Sequence, residues 1–143
     1  KKTLSTTGGE TWSAPAVLAG TLYQVIENAC NKAGRFTTDV TARKLSTGAH
    51  AWSHVFENIP CGQAKVGGGG PRSPVVANGL VFLAEMNAKK VRVFTTAGKL
   101  VTVFSTGEYT VTSAVVAAGE VIVSTWDPYH PAVGTGFVQA FGL

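Results

Sequence analysis

The chain has few charged residues, only two cysteines and no long apolar run. Asp, Glu, Lys and Arg make up 14% of its 143 residues, well below the roughly 25% of an average globular chain. No apolar run approaches the about 20 residues that a membrane-spanning helix needs, so no membrane span is expected. The sequence also lacks an initial Met and a signal peptide, which indicates a processed chain, a fragment or a trimmed piece.

The basic residues show no clustering. The net charge is +4 at pH 7, but the twelve Lys and Arg are scattered, and the densest runs are only Lys1-Lys2 and Lys89-Lys90. A nucleic-acid or membrane surface should carry clustered basic residues, ideally interleaved with aromatic ones. We therefore expect no nucleic-acid partner.

Glycine is abundant, with 17 residues, and two kinds of hairpin alternate along the chain. The first kind has two apolar strands joined by a turn that ends in Gly, and it occurs at residues 15–27, 74–85 and 114–125. The second kind has a Thr-Gly turn and occurs at residues 1–12, 36–53 and 90–104, with a last strand at 136–142 that begins a further copy. Asn78-Gly79 is the strongest hairpin signal among them. The apolar runs are apolar on both faces, which predicts strands sandwiched between other sheets.

One hairpin of each kind makes a four-stranded antiparallel sheet of about 40 residues, the size of a propeller blade. No useful length of the chain shows helical periodicity. We therefore predict an all-β fold, a partial β-propeller of about three four-stranded antiparallel blades that forms a single segment over residues 1–143. The blades are expected at about 13–53, 73–104 and 113–143, the last completed by a hairpin of the 1–12 type.

An open array of three blades has consequences for partners. Propellers close about 4–8 blades into a ring, so three blades would leave two apolar faces exposed, and such faces mark interfaces. We expect further blades, from copies of this chain or from another chain, to complete the ring. Strand exchange would let the 1–12 hairpin of one chain complete the blade that residues 136–142 begin in another.

Residues 42–52, ARKLSTGAHAW, resemble the tryptophan-docking motif of the quinoprotein (PQQ-like) β-propeller repeat family. That motif reads Ala, any residue, Asp or Asn, two residues, Thr-Gly, three residues, Trp, and Lys44 stands at its acidic position. A second copy ends at Trp12, and a third, at Ala97-Gly98, lacks the Trp. A Trp at the end of an outer strand can lie flat between blades and bury about 150–250 Å². Structural roles are therefore predicted for Trp12, Trp52, Gly8, Gly48 and Gly98.

Cys30 and Cys61 fall in neighbouring loops on one face of the predicted array, and they match no metal-binding spacing. A disulfide is favoured over two buried free thiols, since a bridge would hold two long connections together. It would imply an oxidising compartment, so we expect a secreted, periplasmic or cell-surface protein.

The most site-like stretch follows the third apolar hairpin. Trp126, Asp127, Tyr129 and His130 supply an indole, an acid, a phenol and an imidazole, groups that can stack on a sugar, hydrogen-bond it or bind a metal. The alternative is a rigid surface loop whose aromatic side chains pack on a neighbour. Arg72 completes the candidate binding set. His50 and His54 are expected to be solvated on an outer strand.

Three functions are compatible with these features. The first is a non-catalytic secreted or cell-surface segment that acts as a scaffold or binding and assembly module. The second, implied by the family resemblance, is a fragment of a PQQ-dependent quinoprotein dehydrogenase, in which Glu85 and Asn87 would offer oxygens to calcium. The third is a carbohydrate-binding propeller lectin with a glycan as its ligand. No catalytic residue or metal ligand is assigned. Quinoprotein dehydrogenases resemble one another in a vicinal Cys-Cys pair near the cofactor, and this sequence has none. PQQ and calcium are therefore expected only under the second alternative.

Overall fold

The computed structural model describes residues 9–10, 13–28, 30, 32–61, 72–86, 88–126 and 136–142. These residues form β-strands and turns, and no helix occurs among them. The strands are β1 (Gly9–Glu10), β2 (Ala16–Leu18), β3 (Thr21–Asn28), β4 (Arg35–Lys44), β5 (His50–Pro60), β6 (Val75–Ala77), β7 (Leu80–Glu85), β8 (Lys90–Thr95), β9 (Leu100–Ser105), β10 (Tyr109–Thr110), β11 (Val115–Ala117), β12 (Glu120–Trp126) and β13 (Phe137–Gly142).

The strands form three antiparallel sheets. The first has the order β1-β3-β4-β5, with β2 also on β3; the second has the order β6-β7-β8-β9; in the third, β10, β11 and β13 all pair with β12. In the first sheet β1 and β2 pair with different parts of β3, so they are two pieces of one inner strand. In the third sheet β10 and β11 divide the inner strand of β12 in the same way. The predicted partial β-propeller of three sheets is confirmed.

The hydrophobic core lies between the sheets. One cluster joins the first and second sheets and the other joins the second and third; the buried members of the first are Tyr23, Val25, Val40, Ala42, Phe56, Val81, Leu83 and Phe94. Neighbouring residues of the second sheet point to opposite sides, since Val76 packs on the first cluster and Val75 on the second. In the second sheet, strands apolar on both faces are therefore covered by a sheet on each side, whereas Val115 of the third sheet is 57% exposed.

The apolar hairpins close through two-residue turns of one conformation. Ala19, Asn78 and Ala118 have φ of 47°, 51° and 51°, and the glycine that follows each also has a positive φ. Positive φ at both central residues is the type I′ geometry that matches the twist of paired strands. Local sequence therefore sets the position of each hairpin.

The predicted disulfide is confirmed: Cys30 is bonded to Cys61. The bridge ties the loop after β3 to the residue that follows β5, where the Cys61 N–H also donates to the Gly34 carbonyl over 2.8 Å. The first sheet is thus cross-linked at one end.

The start of the chain differs from the predicted Thr-Gly hairpin at 1–12. Its described part, Gly9–Glu10, pairs with the end of β3 and lies on the inner edge of the first sheet. An outer-strand position for residues 9–10 is therefore wrong, because antiparallel pairing with β3 places them in line with β2. Gly8 and Trp12 lie outside the described residues.

Candidate functional site: the interface between the first two sheets

Trp52 attaches the first sheet to a turn of the second. The side chain leaves β5 and lies against Gly98, where an added Cβ would meet the indole ring at 2.7 Å. The indole Nε1–H donates to the Thr96 carbonyl over 2.9 Å. Only a glycine leaves room for the ring, and its φ of 85° suits the turn. The contact joins an outer strand of one sheet to the Thr-Ala-Gly turn of the next.

Two more side chains contact the same turn. The His54 ring lies 2.6 Å from the Gly98 carbonyl through Nε2 and stacks on Phe94 with ring centroids 5.0 Å apart. The expectation of a solvated His54 is therefore wrong, because the neighbouring sheet covers this part of β5. Tyr23 donates from its hydroxyl to the Thr96 carbonyl over 3.4 Å. Burial raises the pKa of Tyr23, and a hydrogen bond with Thr21 opposes part of that rise.

A cleft of about 350 Å³ opens beside these contacts. Turn backbone from both sheets lines it together with the side chains of Leu18, Thr21, Tyr23, Lys44 and Thr96. The Lys44 ammonium donates to the Thr21 hydroxyl over 3.3 Å, and no carboxylate is among the lining residues. An ammonium beside a hydroxyl is suited to binding an oxyanion, since each can donate a hydrogen bond; the Tyr23 hydroxyl is not counted because its proton is donated to the Thr96 carbonyl.

A buried ion pair lies further along the same interface. Glu85, the last residue of β7, is fully buried, and Arg92 Nε donates to its Oε1. Arg92 also lies over the Phe56 ring of the first sheet, with its Cζ 5.4 Å from the ring centroid. Burial raises the pKa of Glu85, and the charge and hydrogen bond of Arg92 oppose part of that rise. Glu85 Oε2 has no hydrogen-bond partner among the described residues.

The second interface uses neutral groups at the corresponding positions. Gln139 Nε2 donates to the Thr106 carbonyl over 2.7 Å, and Phe104 stacks on Phe141 with centroids 5.0 Å apart. Leu83 pairs with Arg92 as Val123 pairs with Gln139, so the two polar residues stand at matching positions of their sheets. At this pair of positions the first interface has a guanidinium and the second an amide.

The sequence-predicted binding residues are spread over different parts of the chain. Trp126 ends β12 with 40% of its surface exposed and pairs with Tyr109. Arg72 precedes β6, where its Nη2 contacts Met86 Sδ at 3.6 Å and its N–H donates to the Ala84 carbonyl. Asp127, Tyr129 and His130 lie outside the described residues.

Glu85 is already engaged by another residue of the described structure. Glu85, the carboxylate considered for calcium, already binds Arg92 and is fully buried. The described part of the chain holds no group of three His, Cys, Asp or Glu residues able to bind a metal ion. Asn87 is outside the described residues.

Sequence analysis missed the cleft and the buried ion pair. One sequence feature did point to the cleft: Lys44, which lines it, stands where the docking motif has Asp or Asn. The Glu85–Arg92 pair had no comparable signal, because the residues lie on different strands and face another sheet. Which charged residue is buried depended on how the sheets stack.

Comparison with solved structures places the chain among β-propellers. It is similar to BamB from Moraxella catarrhalis, with a TM-score of 0.53 at 14% identity, over 90% of this chain and 43% of that one. It is also similar to the computationally designed Ika8 protein, with a TM-score of 0.54 at 12% identity, over 92% of this chain and 45% of that one. The chain thus spans less than half of either structure. At these identities the likeness shows the fold alone.

No family model and no curated protein matches the chain. Within the described ranges, no helix has the length and apolar character needed to cross a membrane. The disulfide fits an oxidising compartment.

Proposed function

We propose that this chain is a non-catalytic β-propeller segment that acts as a scaffold or binding module in a secreted, periplasmic or cell-surface protein. The observation that carries the proposal is that the aromatic, imidazole and buried carboxylate side chains at the first interface all have structural contacts. Trp52, His54 and Tyr23 contact the turn of the next sheet, and the buried Glu85 is held by Arg92. These groups join sheets, and docking of the type seen in PQQ-like repeats is the role we assign to Trp52.

The cleft at Lys44 is the proposed binding surface of this module. Among the described residues, its single ammonium donates to the neutral hydroxyl of Thr21, and further hydroxyl groups line the cleft. A small ligand with a carboxylate or another oxyanion would gain a charge-assisted hydrogen bond there. The cleft volume of about 350 Å³ is at the small end of ligand sites.

Isothermal titration calorimetry with citrate and with sulfate tests this surface. We expect binding by the unmodified chain and at least a tenfold loss in Lys44→Met, because that variant keeps the stem and removes the charge. The matched control is Lys99→Met, which removes an exposed lysine of the neighbouring turn that does not line the cleft. Equal loss in both variants would show only a general effect of net charge, and absence of binding would remove the cleft from the proposal.

The dehydrogenase alternative is tested separately. A bound quinone absorbs in the near ultraviolet, and a cofactor that binds only the folded state raises the melting temperature. We expect the isolated protein to show no such absorption and its melting temperature to stay unchanged with PQQ and calcium. A quinone spectrum or a saturable thermal shift would contradict the non-catalytic proposal.

The exposed position of Trp126 supports a glycan as a second candidate ligand. An exposed indole at a strand end can stack on the apolar face of a sugar ring. Binding on a glycan array that disappears in Trp126→Ala but persists in Lys44→Met would favour the lectin function. An array without any bound glycan would exclude the sugars it presents.

A further inference from the structure

Three side chains form a row across the first sheet at the end where its strands turn. Leu18 of β2 pairs with Thr21 of β3, and Thr21 pairs with Lys44 of β4. Residues directly opposite one another in antiparallel strands project from the same face of the sheet, and all three line the cleft. The row therefore presents an apolar group, a hydroxyl and an ammonium to the cleft, one from each strand.

The other two sheets have no cation at this position. The rows defined by the same strand pairings are Ala77, Leu80 and Thr95 in the second sheet and Ala117, Glu120 and Gly142 in the third. Lys44 thus stands where the second sheet has a threonine and the third a glycine. Because the same strand pairing forms without an ammonium, the fold does not require Lys44, and its charge is available to a ligand.

Thr21 fixes the polar end of the cleft. It is only 5% exposed, and its hydroxyl oxygen accepts a hydrogen bond from Lys44 Nζ over 3.3 Å. The long lysine side chain is therefore already oriented by a buried group before any ligand binds, which lowers the entropy that binding costs. Among the described residues, no carboxylate and no second cation line the cleft. A ligand with one negative charge matches this end.

The second sheet supplies the opposite wall through its turn at Thr96 and Ala97. The Thr96 carbonyl accepts a hydrogen bond from the Trp52 indole over 2.9 Å, and the Thr96 N–H donates to the Gly79 carbonyl over 3.2 Å. Both backbone groups of Thr96 are thus held, one by each sheet. The wall is formed before a ligand binds, as in most small-molecule sites.

The other end of the cleft is apolar. Leu18 is 37% exposed, and Ala19 and Ala97 are lining residues with methyl side chains. Neighbouring strands lie about 4.8 Å apart, so about 10 Å separates the backbone of β2 from that of β4. The apolar end at Leu18 and the charged end at Lys44 are therefore far enough apart to bind different parts of one small molecule.

We propose that the ligand of this cleft is a small carboxylic acid with a short apolar chain. Its carboxylate accepts a charge-assisted hydrogen bond from the Lys44 ammonium, beside the Thr21 hydroxyl. Its chain lies over Leu18, where each methylene that leaves water adds to the affinity. The inference rests on the binding function proposed above and adds the class of ligand to it.

NMR titration of the isotope-labelled chain with acetate, butanoate and hexanoate tests the class of ligand. The affinity should rise about twofold to fourfold for each added methylene, with amide shifts centred on Thr96 and Ala97. Shifts centred on another part of the chain would overturn the inference. Equal affinities for the three acids would also overturn it, while leaving the anion site of the proposed function intact. If neither the acids nor sulfate bound, both would fail.

Two further ligands test the two parts of the acid in the same titration. Hexanol has the chain without the carboxylate and should bind at least tenfold more weakly than hexanoate, because it forms no charge-assisted hydrogen bond. Equal binding would overturn the role of the carboxylate. A peptide with a C-terminal leucine carries the same chemistry on a polypeptide. Tighter binding of that peptide than of hexanoate would assign the cleft to a chain terminus and overturn the free acid as its ligand.

Substitutions at the two ends of the row separate the two contacts. Lys44→Thr, which introduces the residue type of the second sheet, should weaken binding of all three acids at least tenfold. Leu18→Asn should make the three affinities equal, because the chain loses its apolar contact. The matched control is Leu45→Asn, since Leu45 is also 37% exposed but does not line the cleft. Circular dichroism identifies any variant that unfolds, and Leu18→Met, which keeps an apolar side chain, should retain the dependence on chain length. A dependence that survives in folded Leu18→Asn, or is lost equally in Leu45→Asn, would overturn the inference.

Discussion

At the scale of single residues, the contact between Trp52 and Gly98 shows how a missing side chain can hold two sheets together. The indole occupies the space that a Cβ would fill and donates its N–H to the neighbouring carbonyl. Gly98 therefore has two roles in this turn: it adopts a positive φ, and its lack of a side chain leaves space for the indole ring.

Gly98→Ala should lower the free energy of unfolding by about 2–4 kcal/mol, through a left-handed backbone cost of about 1–2 kcal/mol and a clash with the indole. The matched control is Gly79→Ala, whose φ is similar at 75° but whose added Cβ meets no atom within 4 Å. Chemical denaturation of both variants separates the clash from the backbone term. In a Trp52→Ala background the excess cost at Gly98 should disappear; an unchanged excess would contradict the contact.

Glu85 should make stability depend on pH in an unusual direction for a carboxyl group. Because burial raises its pKa in the folded protein, the folded state binds the proton more tightly than the unfolded chain does. Its contribution is therefore fully present below the unfolded pKa of about 4.3 and is lost as pH rises through the raised folded pKa.

Glu85→Gln should remove this decline and make the stability profile flatter above pH 4, as measured by denaturation over a pH series. Glu108→Gln is the control, since Glu108 is about one-third exposed and pairs with Lys89 at the surface, where such pairs contribute little. A wild-type profile that rises through this range, with no difference in Glu85→Gln, would argue against the buried carboxyl.

At the scale of strands and turns, the three apolar hairpins differ in how well their turn residue suits its conformation. Asn tolerates a positive φ better than Ala, because its side chain can form a local hydrogen bond. Ala118→Asn and Ala19→Asn should each stabilise the fold by about 0.5–1 kcal/mol, and Asn78→Ala should destabilise it by a similar amount. Thermal unfolding of the three variants tests this, and opposite signs at Ala118 and Asn78 are the expected result.

The disulfide constrains the first sheet. Cys30 and Cys61 are separated by 31 positions, and closing a loop of that size stabilises a fold by about 3–4 kcal/mol in the chain-entropy model. Cys30→Ser with Cys61→Ser should lower the denaturation midpoint accordingly. Dithiothreitol should lower the denaturation midpoint of the unmodified chain and leave that of the double variant unchanged, because the variant has no disulfide to reduce.

At the scale of the whole molecule, the described residues form three sheets in a row, and the middle sheet packs against a sheet on each side. The second sheet contributes Val81 and Leu83 to one core and Phe82 and Val93 to the other. In a row of this kind, each sheet depends on its neighbours for stability.

Native-state hydrogen exchange should reflect this arrangement. Amides of β7 should exchange most slowly, and those of β3 and β12 should exchange faster, because the described residues pack a sheet against one face of each outer sheet and against both faces of the second. Uniform protection across the three sheets would contradict this arrangement.

The sequence by itself determined the local architecture. Period-two apolar runs and Gly-containing turns identify hairpins because both signals act between residues close in the chain. Runs that are apolar on both faces, such as Val75-Val76, correctly predicted strands covered on two sides. The cysteines in neighbouring loops predicted the bridge for the same reason, since the hairpin order places those loops on one face.

Only the tertiary structure decided which side chains meet between sheets. It placed Lys44 in a cleft, buried Glu85 beside Arg92 and moved His54 from solvent to the turn at Gly98. It also assigned Gly9–Glu10 to an inner strand rather than an outer one. These outcomes depend on stacking between residues far apart in sequence, where contact follows from the twist and offset of whole sheets and leaves no periodic signal along the chain.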